Sequence, residues 1–181
     1  MSPVAAFHRA PEPLADELDE VFREHSRLVY RTAFSVTASA QDAEDIVQTL
    51  FLQLLRRGFP PDFRKNPRGY LYRAAINRAL NVVKSRRRRE SVVDAARRHA
   101  ATDSPTIADG PEHETDLQRR LVAAIAQLNP RAVEMLVLRY EHDASEAEIG
   151  RLLGTSRAVV AVTLFRARAR LKKLLRSKDT P

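Results

Sequence analysis

Residue types that carry much of the known chemistry of proteins are absent from this sequence or scarce in it. The 181 residues include no cysteine, which excludes disulfide bonds and thiolate metal sites. Only five glycines occur, and they form no glycine-rich loop for phosphate groups. The histidines are scattered without the spacing of a metal motif; they are His8, His25, His99, His113 and His142. We therefore expect no enzyme, no catalytic residue, no cofactor, no metal and no small-molecule substrate.

Long apolar runs are also absent. The first residues, MSPVAAFHRAPEP, lack the apolar core of about 7 to 15 residues that a secretory signal has. No run approaches the roughly 20 apolar residues that are needed to span a bilayer. We therefore expect a cytoplasmic protein with no membrane partner.

Positive charge is what the sequence has in excess. Lysine and arginine number 31 against 23 acidic residues, which gives a net charge of +8. The basic residues cluster in residues 84–89 (KSRRRR) and 166–178. Because each neutralised phosphate releases counterions, such clusters favour DNA as a partner, with an affinity that falls as salt rises. A solvated basic face, an RNA-binding surface or a surface for anionic lipid fits the same charge.

Apolar residues recur at helical spacing along most of the chain, and no segment shows the alternation of a strand. This pattern predicts an all-α fold. We expect one helix over about residues 13–36, a second that Ser39 caps and Gly58 ends, and a third that opens at Asn66 and Pro67 and runs into the arginine cluster. These three helices can enclose a small core.

A polar, alanine-rich segment over residues 90–114 interrupts the helical pattern. It has too little apolar surface to offset the entropy cost of ordering it. We predict a flexible linker there, with room for one helical turn around residues 92–98. The predicted boundaries are a first domain over 12–90, a linker over 91–114 and a second domain over 115–178.

The second domain is predicted to contain four helices. Thr115 with Gln118 starts the first of them, and Asn129 with Pro130 starts the next. The last two follow over residues 143–175 and form the most informative part of the sequence.

Ser145 and Glu148 form a capping box, so we expect a helix to begin at Glu146. Gly154 can take the left-handed conformation that ends this helix, and Ser156 caps the next one. Two helices joined this tightly are typical of a helix-turn-helix, which places its second helix in the major groove of DNA.

Four blocks of the sequence, in this order, resemble the extracytoplasmic-function sigma factors of bacterial RNA polymerase. They are FREHSRLVYRTAF, DAEDIVQTLFLQLLRR, NPRGYLYRAAINRALNVVKSRRRR and LNPRAVEMLVLRYEHDASEAEIGRLLGTSRAVVAVTLFRARARL. The resemblance implies a sigma region 2-like first domain that binds the clamp helices of core polymerase and recognises and melts the minus-10 element. It implies a sigma region 4-like second domain that docks near the minus-35 element and on the polymerase flap. Relatives are often held inactive by an anti-sigma factor. The expected partners are therefore core RNA polymerase, promoter DNA and an anti-sigma factor.

The resemblance places the polymerase-binding residues on the second helix. They are Asp42, Asp45, Gln48 and Phe51. The acidic residues at this helix start also complement the positive end of their own helix dipole, and the two roles are compatible.

Promoter opening needs aromatic surfaces for bases that leave the stack and cations that follow the displaced strand. The resemblance places the minus-10 contacts at Phe63, Arg64, Lys65, Tyr70, Tyr72, Arg73, Asn77, Arg78, Asn81, Arg86 and Arg87. Tyr70 lies where the family commonly has tryptophan, which this chain lacks, so we expect a stronger dependence on an easily melted promoter. A position in the core explains Tyr70 equally well. A structural role explains Asn77 less well, because asparagine is disfavoured in a helix interior.

The resemblance and helix geometry together give the minus-35 contacts as Ser156, Arg157, Ala161, Val162, Phe165, Arg166 and Lys172. At about 100° per residue, Val160 and Leu164 share the buried side with Ala167 and Leu171. Relatives usually carry threonine and a basic residue at the positions of Val159 and Ala161. Apolar side chains can contact the thymine methyl group but offer no hydrogen bond, so reading here is expected to be weak or thymine-biased. An apolar patch that docks on protein is an equal alternative.

Two other classes of protein are compatible with parts of the sequence. A stand-alone helix-turn-helix regulator would bind an operator without polymerase, usually as a dimer. An adaptor would bind only protein or RNA. The sigma-factor interpretation instead predicts weak DNA binding alone and tight promoter binding once core polymerase is present.

Overall fold

The computed structural model describes residues 12–99 and 116–176. These residues form eight helices and no strand, which confirms the all-α fold. The helices are α1 (Glu12–Thr37), α2 (Ala40–Arg57), α3 (Pro61–Lys65), α4 (Pro67–His99), α5 (Asp116–Ile125), α6 (Pro130–Tyr140), α7 (Glu146–Leu153) and α8 (Arg157–Arg176). Within those two ranges, no helix is both long and apolar enough to cross a membrane.

Local capping sets several of these boundaries where the sequence predicted them. The Asp42 amide donates to Ser39 Oγ at the start of α2, and Gly58 ends that helix with φ of 73°. The Arg131 amide donates to Asn129 Oδ1 at the start of α6 over a distance of 2.8 Å. Each cap satisfies a backbone group that the helix itself leaves without a partner.

Two elements differ from the prediction. Helix α4 continues through the arginine cluster to His99, so the first part of the predicted linker over 91–114 is helical. No proline or glycine interrupts this stretch, and arginine and alanine are good helix formers. The short helix α3 lies between the predicted second and third helices, where no helix was predicted, and it can begin at Pro61 because proline is tolerated in the first turn of a helix. Residues 100–114, the Thr115 cap and residues 177–178 lie outside the described residues.

The first four helices form one packed group. Helix α1 packs along α2 and α4, and α3 packs on α4. The core of the group contains Val29, Leu50, Leu71, Ile76 and Leu80, all nearly or fully buried. This packing fixes the position of α4, whose remaining side carries exposed residues.

The last four helices form a second group, which packs against the first. Its core contains Val133, Leu138, Ile149, Val160 and Leu164. Helix α6 packs on α4, and the buried side chains of the two groups belong to one continuous apolar cluster. The sequence left the relative placement of the two groups open, and the structure brings them together.

Polar contacts accompany this packing between the two groups. The Arg31 guanidinium on α1 donates to the Glu141 carboxylate at 2.9 Å and to the Glu141 carbonyl at 2.8 Å. At the other side, Asn66 Nδ2 donates to the Leu152 carbonyl at 3.3 Å. Because these partners are far apart in the chain, no local sequence pattern indicated them.

Candidate nucleic-acid and protein interfaces

The bihelical corner of α7 and α8 has the geometry that the sequence predicted. The Ser145 amide donates to Glu148 Oε2 at 2.8 Å, and the Glu148 amide donates to Ser145 Oγ at 3.3 Å, which completes the capping box. Hydrogen bonds from the Ser145 hydroxyl and amide lower the pKa of Glu148. Gly154 then ends α7 in the left-handed conformation, with φ of 66°. The tight turn between the two helices is therefore fixed at both ends by local interactions.

Gly150 is a second glycine that this corner requires, and we did not single it out from the sequence. A Cβ atom at this position would lie 2.7 Å from the Thr155 carbonyl oxygen. That distance is too short for any side chain, so only glycine lets the turn fold back on α7. An isolated glycine inside a helical pattern was the available signal.

Most of the predicted minus-35 contacts lie on the outward side of α8. Val160, Leu164 and Ala167 are buried and Leu171 is half-buried, as the helical period predicted. The outward side exposes Ser156, Arg157, Val162, Phe165, Arg166 and Lys172, whereas Ala161 is half-buried. Arg157 also lies 3.4 Å from a carboxylate oxygen of Glu146 on α7. The structure thus presents a continuous exposed face on the second helix of the corner.

A second exposed face lies on α4. Tyr70, Arg73, Asn77 and Asn81 are spaced by three and four residues, which places them on one side of the helix. Asn77 and Asn81 are exposed, and Tyr70 and Arg73 are half-buried. We call these four residues the outer face of α4. The structure brings together here a partly exposed aromatic ring, a cation and two amide groups.

Helix α3 supports this face from below. Phe63 is buried, with its ring stacked on Phe59 at 4.5 Å and in edge contact with Tyr70 at 5.7 Å. Arg64 lies over the Phe59 ring at 5.6 Å and pairs with Glu17 at 3.3 Å, while Lys65 is exposed. Phe63 therefore positions Tyr70 in this structure and is not itself open to a base.

Tyr72 is not on the outer face of α4. It lies two residues from Tyr70, about 200° round the helix, and it is fully buried. Its hydroxyl donates to the Glu134 carbonyl at 2.6 Å. Burial, together with the Glu134 carboxylate, raises the pKa of Tyr72 well above its ordinary value. A direct contact between Tyr72 and DNA would require α4 and α6 to separate.

The remaining basic candidates on α4 have different surroundings. Arg78 donates a hydrogen bond to Gln53 on α2. Arg86 donates to the Thr37 carbonyl at 3.3 Å and lies 3.7 Å from an Asp42 carboxylate oxygen. Arg87 is exposed and lines a cavity of about 320 Å³; the other lining residues are Lys84, Arg88, Ser91 and Ala126. Arg87 is thus open to a ligand, whereas Arg78 and Arg86 are partly committed to contacts within the protein.

The candidates for polymerase binding divide in the same way. Asp45 and Gln48 are exposed on α2. Asp42 is half-buried and pairs with Arg86, and its place in the first turn of α2 also fits dipole complementation. Phe51 is buried in edge contact with Phe22, with ring centroids 4.9 Å apart. The structure therefore places Phe51 in the core and not on the surface.

An open groove between α1 and α2 adjoins Gln48. Its volume is about 470 Å³, and the α2 side is formed by Glu44, Val47 and Gln48. The α1 side is formed by Phe22, Ser26, Arg27 and Tyr30, none of which we proposed from the sequence. Phe22 is 43% exposed, which is unusual for a phenylalanine on a helix already packed on two neighbours. In the sequence Phe22 fits the apolar pattern of its helix, so no sequence signal marked it as exposed. We call this feature the α1–α2 groove.

His142 lies between the two helical groups. Its Nε2 atom is 3.1 Å from Thr32 Oγ1, and its ring makes an edge contact with Tyr72. Burial lowers the pKa of His142. Nearby charges act as well: those of Arg31 and Arg68 lower the pKa, and that of Glu141 raises it. The neutral imidazole is therefore the form that fits this arrangement.

Among the described residues, no group of histidine, aspartate and glutamate side chains could hold a metal ion. What the described residues do present is the partly exposed outer face of α4, the exposed face of α8 with its cations, and the open α1–α2 groove. Together with the bihelical corner, these features define an all-helical DNA-binding protein of the helix-turn-helix class.

Comparisons with known proteins agree with that class and refine it. The family model of Sigma-70 region 2 matches residues 21–89, and that of Sigma-70 region 4 matches residues 118–171. RNA polymerase sigma factor CarQ of Myxococcus xanthus is 30% identical over 162 residues, which cover 88% of this chain and 90% of CarQ. The chain belongs to the RNA polymerase sigma factors, in the extracytoplasmic-function subfamily.

Two further proteins are similar to this chain. ECF RNA polymerase sigma factor SigE of Mycolicibacterium smegmatis is 30% identical over 164 residues, which cover 87% of this chain and 61% of SigE. This chain therefore spans less than two thirds of the length of SigE. A solved structure of sigma factor RpoE in complex with the anti-sigma factor NepR from Bartonella quintana matches with a TM-score of 0.49 at 20% identity. That match covers 89% of this chain and 98% of RpoE.

Proposed function

We propose that this sigma factor binds core RNA polymerase through the α1–α2 groove and directs promoter-specific initiation with two DNA-contacting faces. The outer face of α4 captures bases of the minus-10 element, and the outward face of α8 docks near the minus-35 element. The observation that carries the proposal is that one chain presents both faces, each on a rigid helix. A regulator without polymerase would need only the second of them.

The α1–α2 groove suits a helix of another protein. Its apolar floor includes Phe22 and Val47, and its rim carries Arg27, Glu44 and Gln48. An amphipathic helix that lays its apolar side in such a groove buries carbon and keeps its polar residues at the rim. The clamp helices of core polymerase are the partner that the family suggests for this position.

The outer face of α4 suits unpaired bases. Tyr70 offers a ring on which a base can stack, a contact worth roughly 1–3 kcal/mol. Asn77 and Asn81 each offer a donor and an acceptor to base edges, and Arg73 can neutralise a phosphate. The polymerase would catalyse RNA synthesis, and this protein would select the promoter and separate its strands.

Reconstituted transcription tests the proposal. Full-length protein added to core polymerase that lacks a sigma subunit should produce transcripts with defined start sites from a subset of genomic fragments. Protein without polymerase should bind the same fragments weakly. Tight, dimeric operator binding without polymerase would instead favour the stand-alone regulator.

Added positive charge on α2 tests the groove separately. Gln48→Lys changes an exposed residue that lines the groove, and Asp45→Lys changes its exposed neighbour on α2. Both variants should lose association with core polymerase while circular dichroism and unfolding stay close to those of the original protein. Glu20→Lys, at an exposed position on α1 that does not line the groove, is the control and should associate normally. Normal association of Gln48→Lys and Asp45→Lys would contradict the assignment of the groove.

A further inference from the structure

The outward face of α8 is apolar near the start of the helix. Val159, Val162 and Phe165 are 49%, 47% and 71% exposed. Exposed Ala158 belongs to the same part of the helix. None of these side chains can donate or accept a hydrogen bond. The first turns of the second helix, which in a helix-turn-helix meet the base edges, therefore present mainly carbon.

This apolar face is not required for the packing of α8. Val160, Leu164 and Ala167 point the other way and are nearly or fully buried. The exposed residues form one contiguous patch on the part of the protein that the structure describes. An exposed apolar patch of this kind marks a contact surface.

The charges around the patch indicate what kind of partner covers it. Exposed cations follow the patch along the same helix; they are Arg166, Arg168, Arg170, Lys172 and Lys173. Helix α8 contains no acidic residue from Arg157 to Arg176. The partner must therefore combine dense negative charge with exposed carbon at its surface. A thymine-rich duplex has both, because its phosphates line the groove and the thymine methyl groups project into the major groove.

The length of the patch limits how many bases it can read. Val159 and Phe165 are six residues apart, which corresponds to about 9 Å of rise along a helix. Base pairs are about 3.4 Å apart along the duplex. The patch therefore spans about two or three adjacent base pairs.

We propose that Val159, Val162 and Phe165 are specificity-determining residues that select two or three adjacent thymines in the minus-35 region through contact with their methyl groups. Arg166 contributes the polar part of the contact, and the cations that follow it bind the phosphates. This inference rests on the proposed function, because it needs α8 to dock on promoter DNA.

Replacement of thymidine by deoxyuridine tests the methyl contact alone, since thymine and uracil differ only in that methyl group. Full-length protein in complex with core polymerase would first select fragments from a pool randomised in the upstream duplex. Thymines should be enriched at two or three adjacent positions. Each of them would then be replaced singly by deoxyuridine, and binding should weaken about fourfold per replacement, as expected for about 0.8 kcal/mol per buried methyl group.

Variants connect this effect to the patch. Val162→Ala and Phe165→Ala should weaken binding to the thymine fragment and reduce the ratio between thymine and deoxyuridine fragments towards one. Val92→Ala is the matched control, because Val92 is a valine on α4 with 67% exposure, and it should leave the ratio unchanged. Enrichment of guanine or cytosine, insensitivity to deoxyuridine, or an unchanged ratio in Val162→Ala and Phe165→Ala would overturn the inference. Stronger promoter binding by Phe165→Ala would also overturn it and would indicate a patch that docks on protein.

Capture of core polymerase by the full chain, measured on the same samples, reports the proposed function independently. If the protein captures core polymerase but its DNA binding does not depend on the thymine methyl groups, the thymine inference is overturned and the proposed function is not. Failure to capture polymerase would overturn both.

Discussion

The Tyr72 hydroxyl on α4 donates a 2.6 Å hydrogen bond to the main-chain carbonyl of Glu134 on α6. This bond is buried, and it joins a helix of the first group to a helix of the second. The Glu134 side chain is itself held by Arg131 at 2.8 Å. The contact therefore connects α4, which carries the outer face, to the helical group that contains α8.

Loss of the Tyr72 hydroxyl should weaken the packing between the two groups. Tyr72→Phe keeps the ring but leaves the Glu134 carbonyl without this donor, and a hydrogen bond of this type contributes about 0.5–1.5 kcal/mol net. We expect the free energy of unfolding, measured in urea, to fall by about 1 kcal/mol. Tyr70→Phe, a half-buried tyrosine on the same helix, should change it by less than about 0.5 kcal/mol. Equal values for the two variants would contradict the role of the bond.

Acid should favour separation of the two helical groups through His142. The packed state lowers the pKa of His142, so at mildly acidic pH the separated or unfolded state binds more protons. The stability that His142 contributes is therefore fully present at pH values above its ordinary pKa of 6.5, and it declines as the pH falls below that value. Protonation would place a cation near the charges of Arg31 and Arg68, which oppose it, and near that of Glu141, which favours it.

A pH titration of the free energy of unfolding checks this prediction. Between pH 7.5 and pH 5.5, roughly one unit either side of a histidine pKa, the original protein should lose more stability than His142→Gln. The difference between the two titrations isolates His142 from His25 and the other histidines. Parallel curves would show that His142 does not titrate differently in the packed state.

Gly150 should be the least replaceable residue of the bihelical corner. Gly150→Ala places a Cβ atom 2.7 Å from the Thr155 carbonyl, which neither backbone segment can easily relieve. We expect destabilisation of about 1–3 kcal/mol, as for other overpacked sites, with weaker promoter binding. In Gly154→Ala a Cβ meets nothing within 4 Å, so the cost should be the backbone strain of about 1–2 kcal/mol. Thermal unfolding and promoter binding, measured for both variants, check this prediction. Full promoter binding by Gly150→Ala would contradict it.

The capping box should make the corner sensitive to strong acid. Ser145→Ala removes the hydroxyl that caps α7 and should cost about 1 kcal/mol. The capping interactions lower the pKa of Glu148, so their stabilisation is present above the ordinary carboxyl value of 4.5 and is lost as pH falls through the lowered value. Glu148→Gln can still accept the Ser145 bonds without titrating.

Unfolding measured from pH 6 to pH 3, about 1.5 units either side of a glutamate pKa, follows this loss. Glu148→Gln should show a smaller decline than the original protein over that window. An equal decline in both would assign the acid sensitivity to other carboxylates.

Much of the fold could be predicted because the signals that set it are local. Ser39, Asn129 and the pair Ser145 and Glu148 act within one helical turn, so their positions in the sequence are sufficient. The continuation of α4 to His99 was predicted only as one helical turn within a linker, because polar, alanine-rich sequence is compatible with a linker although its residues also favour a helix.

The candidate interfaces could be predicted only in part. Helical periodicity placed Val160 and Leu164 in the core, whereas Asn77 and Asn81, which are exposed, were indicated by the family resemblance. The same reasoning could not separate exposed from buried aromatic residues, since Tyr72 suits either environment. Arg31 and Glu141 are 110 positions apart, so only the folded chain brings them together.

The contacts of Arg31 and Asn66 across the two helical groups have a consequence for how the protein can work. Each is a bond between polar groups at or near the surface, and water can take the place of either partner when the groups move apart. These two polar contacts can therefore be replaced at modest cost, whereas the apolar cluster and the buried Tyr72 bond that also join the groups are the parts of the boundary that are costly to separate.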